Sequence, residues 1–163
     1  MYMKLLMTCA LLAVGLLTGC GSMVNKFDVP RAVTQKCASD DECFVGVYAS
    51  VGNEGECVVQ TLVDDIKVGN RKYPKVTWHL EKADPENDPF DYQFDPVVGI
   101  VIVGNVPSQD FEDPKPAGKL KFKTKSVHAR PSSFKYTVQV QRSLSYKVSW
   151  SPCTLLDPRI INE

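Results

Sequence analysis

Histidine is nearly missing from this 163-residue chain: there are two, His79 and His128. A catalytic or metal site that depends on imidazole must use one of them. His79 falls on the polar side of the run VTWHLEK, opposite Trp78, and His128 sits beside Arg130 in KSVHARPSS. Both read as ordinary strand and loop positions without chemistry. Methionine is equally scarce after the first residues, with only Met23 beyond Met7. The segment CTLLDPRIINE that follows Cys153 holds neither His nor Met, which argues against a blue-copper site of two His, a Cys and an axial Met. No H-E-x-x-H, no G-x-S-x-G and no phosphate-cradling glycine loop occurs. Charge of one sign is not in excess either, with 19 basic and 19 acidic side chains. Global charge therefore gives no reason to expect nucleic acid as a partner. Beyond the first twenty residues there is no 3.6-residue apolar stripe longer than two turns, so a helical domain is not expected.

What is present begins at the amino terminus. Met1 to Lys4 form a short, positively charged leader, and Leu5 to Leu17 follow as an apolar run. Thirteen residues fall short of the roughly 20 needed to span a bilayer core, and fit the hydrophobic region of a signal peptide. The next residues, Leu17-Thr18-Gly19-Cys20, resemble the lipobox of bacterial lipoproteins: an aliphatic residue, two small ones and a cysteine. The resemblance implies that the Cys20 thiol carries diacylglycerol, that the chain is cut before Cys20, and that the new amino terminus is acylated. No cofactor other than these covalent lipids is expected. Two or three acyl chains hold a protein stably at a membrane, whereas one gives marginal binding. Gly21 stands where an aspartate would signal retention at the inner membrane. The expected location is the outer membrane facing the periplasm, ahead of the inner membrane.

The expected organisation is a signal segment over 1–19, a lipidated flexible tether over 20–36, and one domain over 37–163. Cutting before Cys20 leaves 144 residues, enough for a single core. It removes Lys4 and no acid, for a formal charge of about −1. Four thiols then remain, Cys37, Cys43, Cys57 and Cys153, an even number that suits disulfides in an exported chain. Three pairings are possible. The favoured one joins Cys37 to Cys43 across the short loop CASDDEC, and Cys57 to Cys153. With all four paired, no thiol is left for a Cys–His nucleophile.

From Cys43 onward the apolar period is two. In CFVGVYASV, Val45, Val47 and Val51 share a face; GNEGE then turns the chain into CVVQTLV, which predicts a hairpin. A Gly69-Asn70 turn precedes KVTWHLEK, where Val76, Trp78 and Leu80 alternate with Thr77, His79 and Glu81. PVVGIVIV, at 96–103, is short and continuously apolar, which predicts a strand buried on both faces. KLKFKTK sets Leu120, Phe122 and Thr124 against lysines, and both SFKYTVQVQ and SYKVSW alternate in the same way. Short strands separated by Pro- and Gly-bearing loops favour an all-β fold, an antiparallel β-sandwich of Ig-like or cupredoxin-like Greek-key type.

Two surface features stand out. The acidic loop ADPENDPFDYQFD carries Asp84, Glu86, Asp88, Asp91 and Asp95, with Phe90, Tyr92 and Phe94 interleaved. Its alternating carboxylates resemble half of a calcium loop, but Pro89 stands where such a loop needs glycine and no glutamate closes it, so no metal is expected. The aromatics must enter the domain's own core or meet a partner. The second feature is a row of lysines, Lys119, Lys121, Lys123 and Lys125, with Lys115 upstream. It reads first as protection of a sheet edge and second as a surface for phosphates or an acidic protein. Together, Phe90, Asp91, Tyr92, Phe94 and the four lysines form the expected binding surface. The leading expectation is a non-enzymatic, membrane-anchored module that binds an envelope protein or wall component, such as an inhibitor or immunity-type protein. The rivals are a periplasmic hydrolase built from Asp84, Asp88 or Asp91 with His79, and a structural subunit of an envelope assembly.

Overall fold

The computed structural model describes residues 32–37, 42–68, 75–105, 110–127, 132–144, 148–153 and 158–162. The signal segment, Cys20 with residues 21–31, the Gly69-Asn70 turn, Tyr146 and His128 lie outside them. Among the described residues the chain is all-β, without a helix. Its strands are β1 (Ala32–Cys37), β2 (Cys43–Val51), β3 (Cys57–Thr61), β4 (Val63–Val68), β5 (Lys75–Lys82), β6 (Phe90–Phe94) and β7 (Ile100–Ile102). They continue as β8 (Lys115–Pro116), β9 (Lys121–Lys125), β10 (Ser132–Val138), β11 (Val140–Leu144), β12 (Ser151–Pro152) and β13 (Arg159–Asn162). One sheet has the order β3-β2-β5-β9-β8, another β1-β4-β13-β10-β7, and a three-stranded sheet runs β12-β11-β6.

The two-residue period explains the first of these sheets. β2 buries Val45, Val47 and Ala49, and pairs antiparallel with β3 from Val47–Thr61 to Val51–Cys57. The five residues GNEGE close the hairpin, and Gly55 adopts φ 82°, a left-handed conformation that a side chain would strain. In β5, Val76, Trp78 and Leu80 point inward and are fully or almost fully buried. β9 alternates in step, burying Phe122 and Thr124 while Lys121, Lys123 and Lys125 face solvent.

The core forms where this sheet faces the other two. Trp78 of β5 meets Tyr136 of β10 with ring centroids 5.5 Å apart, and Phe94 of β6 meets Phe122 of β9 edge-on at 5.5 Å. A third pair, Phe111 with Phe134, closes one side at 5.6 Å. Full burial of each such ring contributes about 1.5–3 kcal/mol by area alone, and ring geometry adds to that. β10 and β11 are one run interrupted at Gln139, and β7 and β6 lie opposite, interrupted over residues 95–99. Gln139 stitches the break: its N–H donates to Gly99 O at 2.8 Å and its C=O accepts from Asp95 N at 2.9 Å. Disulfides join Cys37 to Cys43 and Cys57 to Cys153, the favoured pairing.

Several expectations need correction. Two of the three sheets are mixed rather than antiparallel, since β1–β4, β4–β13 and β2–β5 are parallel pairs; only β12-β11-β6 is antiparallel throughout. After the β2–β3 hairpin the chain leaves for another sheet as β4 and returns as β5 beside β2, and such a crossover yields a parallel neighbour. Residues 32–36, expected in the tether, belong to β1, an edge strand that pairs through its backbone with β4. CVVQTLV divides at Leu62 into β3 and β4. PVVGIVIV is not a doubly buried strand. Asp95 Oδ1 accepts the N–H groups of Val97 and Val98 at 2.9 and 3.0 Å, bending the first half into a turn. Only Ile100–Ile102 extends, at a sheet edge, and Val97 is 80% exposed. In SYKVSW, Val148 is solvent-exposed rather than inward: residues 148–150 are not in a strand, and β12 pairs through Ser151–Pro152, on an edge where proline's missing N–H does no harm.

Candidate functional site

The end of β5 and the tight turn between β8 and β9 build a cleft. Leu80, Tyr92, Leu120 and Trp150 supply its apolar walls, Pro85 closes one side, and Glu81, Lys82, Asp91 and Lys119 form the rim. Its volume is about 570 Å³, within the usual range for ligand sites. The turn is fixed from both sides: Leu80 N–H donates to Leu120 O at 2.9 Å, and Phe94 N–H donates to Lys119 O at 3.0 Å. Gly118, at φ 127°, lets the chain reverse there. Leu120 is thus held at the surface, half exposed, although the alternation of KLKFKTK places it with buried Phe122. A half-buried Trp beside an exposed Leu is apolar area that water covers poorly.

The rim carries both signs. Lys82 Nζ lies 3.7 Å from Asp91 Oδ1 and donates to Asp88 O at 3.3 Å. Behind it, Asp88 organises the loop: its carboxylate accepts from Phe90 N–H at 2.9 Å and from the Tyr92 hydroxyl at 2.6 Å. Burial, and then the hydrogen bond to Asp88, push the Tyr92 phenol well above its ordinary range. The Arg142 guanidinium stacks 4.6 Å over the Phe90 ring. Asp95 is held below the usual carboxylate range by the N–H groups of Val98 and Val97 and by the Gln141 amide, against an opposing push from burial. A smaller neighbouring cleft of about 260 Å³ is lined by Ser50, Asp84, Asn87, Asp88 and Phe90.

This geometry reassigns the acidic aromatic loop. Phe90, Tyr92 and Phe94 recur every second residue because Phe90–Phe94 is strand β6, with its aromatic side turned inward. Phe94 is buried in the core and belongs to no surface, contrary to expectation. Tyr92 gives the cleft a wall, Phe90 is half-buried, and Asp91 stays exposed. The acids do local work: Asp84 accepts from the Asn87 side chain at 3.0 and 3.2 Å, and Glu86 is exposed. His79 stands apart from them on the outer side of β5, edge-on to Phe44 at 5.2 Å, and lines neither cleft. No group of three or more His, Cys, Asp or Glu side chains able to hold a metal occurs among the described residues.

Of the lysine row, Lys119 reaches the cleft, while Lys121, Lys123 and Lys125 face outward from β9. The sequence pattern did not single out Leu80, Lys82, Leu120 or Trp150 as site residues. The one local sign was a leucine inside a lysine run, next to a glycine turn. No protein-family model matches this sequence, and no curated protein shows significant similarity to it.

Proposed function

We propose that this chain is a lipid-anchored envelope protein whose all-β domain, a sandwich of Ig-like or cupredoxin-like kind, binds a partner protein and carries out no reaction itself. The observation that supports the reading is the cleft at Leu120 and Trp150. Its apolar walls suit an aliphatic or aromatic side chain of a partner, and its rim of Lys82, Lys119, Glu81 and Asp91 suits polar groups of both signs around that side chain. An inhibitor or immunity-type protein would work this way, occupying an enzyme through one anchored side chain. The anchor rests on the likeness of Leu17-Thr18-Gly19-Cys20 to a lipobox, and Gly21 in place of an aspartate favours the periplasmic side of the outer membrane over the inner membrane.

Each half has its own test. Palmitate labelling of the chain in cells is expected to vanish in Cys20→Ala; unchanged labelling would sink the anchor. Leu120→Asp, which puts a charge on the apolar wall of an already exposed position, is expected to weaken partner binding at least ten-fold without lowering the unfolding midpoint. Retained binding in a folded Leu120→Asp protein would remove the cleft from the account. A second reading, a subunit of an envelope assembly, draws on Val97, Val98, Val101 and Val103, all exposed along the β6–β7 connection and the β7 edge. Size measurement of the isolated protein separates the two, since an assembly subunit would run as a defined oligomer.

A further inference from the structure

The outer side of the β3-β2-β5-β9-β8 sheet gathers positive charge in a way its stability does not call for. Lys75 lies directly opposite Lys125 across β5 and β9, and Lys115 lies directly opposite Lys123 across β8 and β9. Like charges in cross-strand register are destabilising. Lys121 extends the row, facing His79. All five lysines are exposed, and among the described residues none of them forms an ion pair. Acids flank the row without neutralising it. Glu42 accepts the Thr77 hydroxyl, Glu81 lies beside Tyr48, and Glu112, whose N–H donates to Lys125 O at 2.9 Å, and Asp113 precede β8 without forming an ion pair with a lysine among the described residues.

Edge protection accounts for Lys115 on β8, the edge strand, but not for the three lysines on β9, which is paired on both sides. The residue type is informative as well. The row contains no arginine, whose planar fork selects individual carboxylates; lysine is a mobile point charge that suits a diffuse anionic plane. Phe44, 52% exposed, stands among these charges on the neighbouring strand, opposite Thr77, as an aromatic would at a headgroup layer.

We infer that this sheet face lies against the anionic phospholipid headgroups of the membrane that holds the protein. The inference rests on the lipid-anchor reading. Eleven residues, 21–31, separate Cys20 from β1, and the span from Cys20 to Ala32 reaches about 40 Å when extended, enough to lay this face on the bilayer. Lys75 and Lys125 mark one end of the face and the cleft the other, at residues 80–82 and 119–120, so the cleft stays open at the edge of the contact.

The test uses the full processed chain, reconstituted into vesicles of pure phosphatidylcholine or of phosphatidylcholine with phosphatidylglycerol. Amine acetylation is read at each lysine by mass spectrometry. Labelling of Lys75, Lys121, Lys123 and Lys125 is expected to fall several-fold in the phosphatidylglycerol vesicles and to recover at high salt. Lys135, exposed on β10 of another sheet, is expected to label equally in both. Equal labelling of the row in the two vesicles overturns the inference, as does equal protection of Lys135, or crosslinks from the row to an acidic protein in cells without vesicle protection. The intact mass reports the anchor separately. If Cys20 carries no lipid, the anchor reading falls, and co-sedimentation of the same chain with the two vesicles decides the face. In that assay Lys121→Gln/Lys123→Gln/Lys125→Gln is expected to lower partitioning roughly a hundred-fold. No preference for phosphatidylglycerol would overturn the inference.

Discussion

Two tyrosines, Tyr92 on the cleft wall and Tyr136 in the core, are held in opposite ways, and the difference is measurable. The Tyr92 hydroxyl donates to Asp88 at 2.6 Å, so Tyr92→Phe removes a hydrogen bond to a charged group and is expected to cost about 2 kcal/mol. The Tyr136 hydroxyl is buried beside the Trp78 indole N–H with no hydrogen bond of normal geometry among the described residues, so Tyr136→Phe is expected to be close to neutral. Urea denaturation of both variants checks the contrast; an equal loss would contradict it. Burial raises both phenols well above their ordinary range. Their contribution to stability is therefore complete below the unfolded-state value near pH 10, and is lost as pH rises further, because only the unfolded chain ionises. The fall in stability above pH 10 is expected to be shallower in Tyr136→Phe than in the parent.

At the scale of elements, the packing is tight where β7 begins. A Cβ placed on Gly99 would lie 2.6 Å from the Phe122 ring and 2.7 Å from Asp95 O. Backbone oxygen and a packed ring cannot both give way, so Gly99→Ala is expected to cost about 1–3 kcal/mol, read as a lowered urea midpoint. Gly104→Ala is a control: its Cβ would meet nothing within 4 Å, and only its φ of 75° adds strain. Which elements could be read from sequence follows from the same physics. β2, β3, β5 and β9 each bury one face, and the alternation of Val45 and Val47, or of Val76, Trp78 and Leu80, records it directly. β1 joins by backbone pairing at an edge, which leaves no period to read. The run 96–103 misleads because apolar residues crowd both a turn and an edge strand, and the decisive group, the Asp95 carboxylate, lies just outside it. The cleft was illegible for a different reason. Its walls come from four distant segments, at 80–85, 91–92, 119–120 and 150, and only the non-local pairing of β5 with β9 and of β6 with β11 brings them together.

Across the whole molecule, most pairings join distant parts of the chain, and covalent links close it. Cys57 and Cys153 are 96 residues apart, whereas Cys37 and Cys43 are separated by six. Loop-closure entropy gives the long link about 4–5 kcal/mol and the short one about half as much. Cys57→Ser/Cys153→Ser is thus expected to unfold at clearly lower urea than Cys37→Ser/Cys43→Ser, and the reverse order would contradict a domain closed by its long link. On the reading proposed above, the lipid-anchored domain would hold a partner at its apolar cleft, which is rimmed by both charge signs. The most direct test is photo-crosslinking in cells from a crosslinker placed at position 120, with position 135 on β10 as the control site. One discrete protein adduct is expected from position 120, absent from position 135 and lost when Trp150→Ala is added. No adduct from position 120, or the same adducts from both positions, would contradict it.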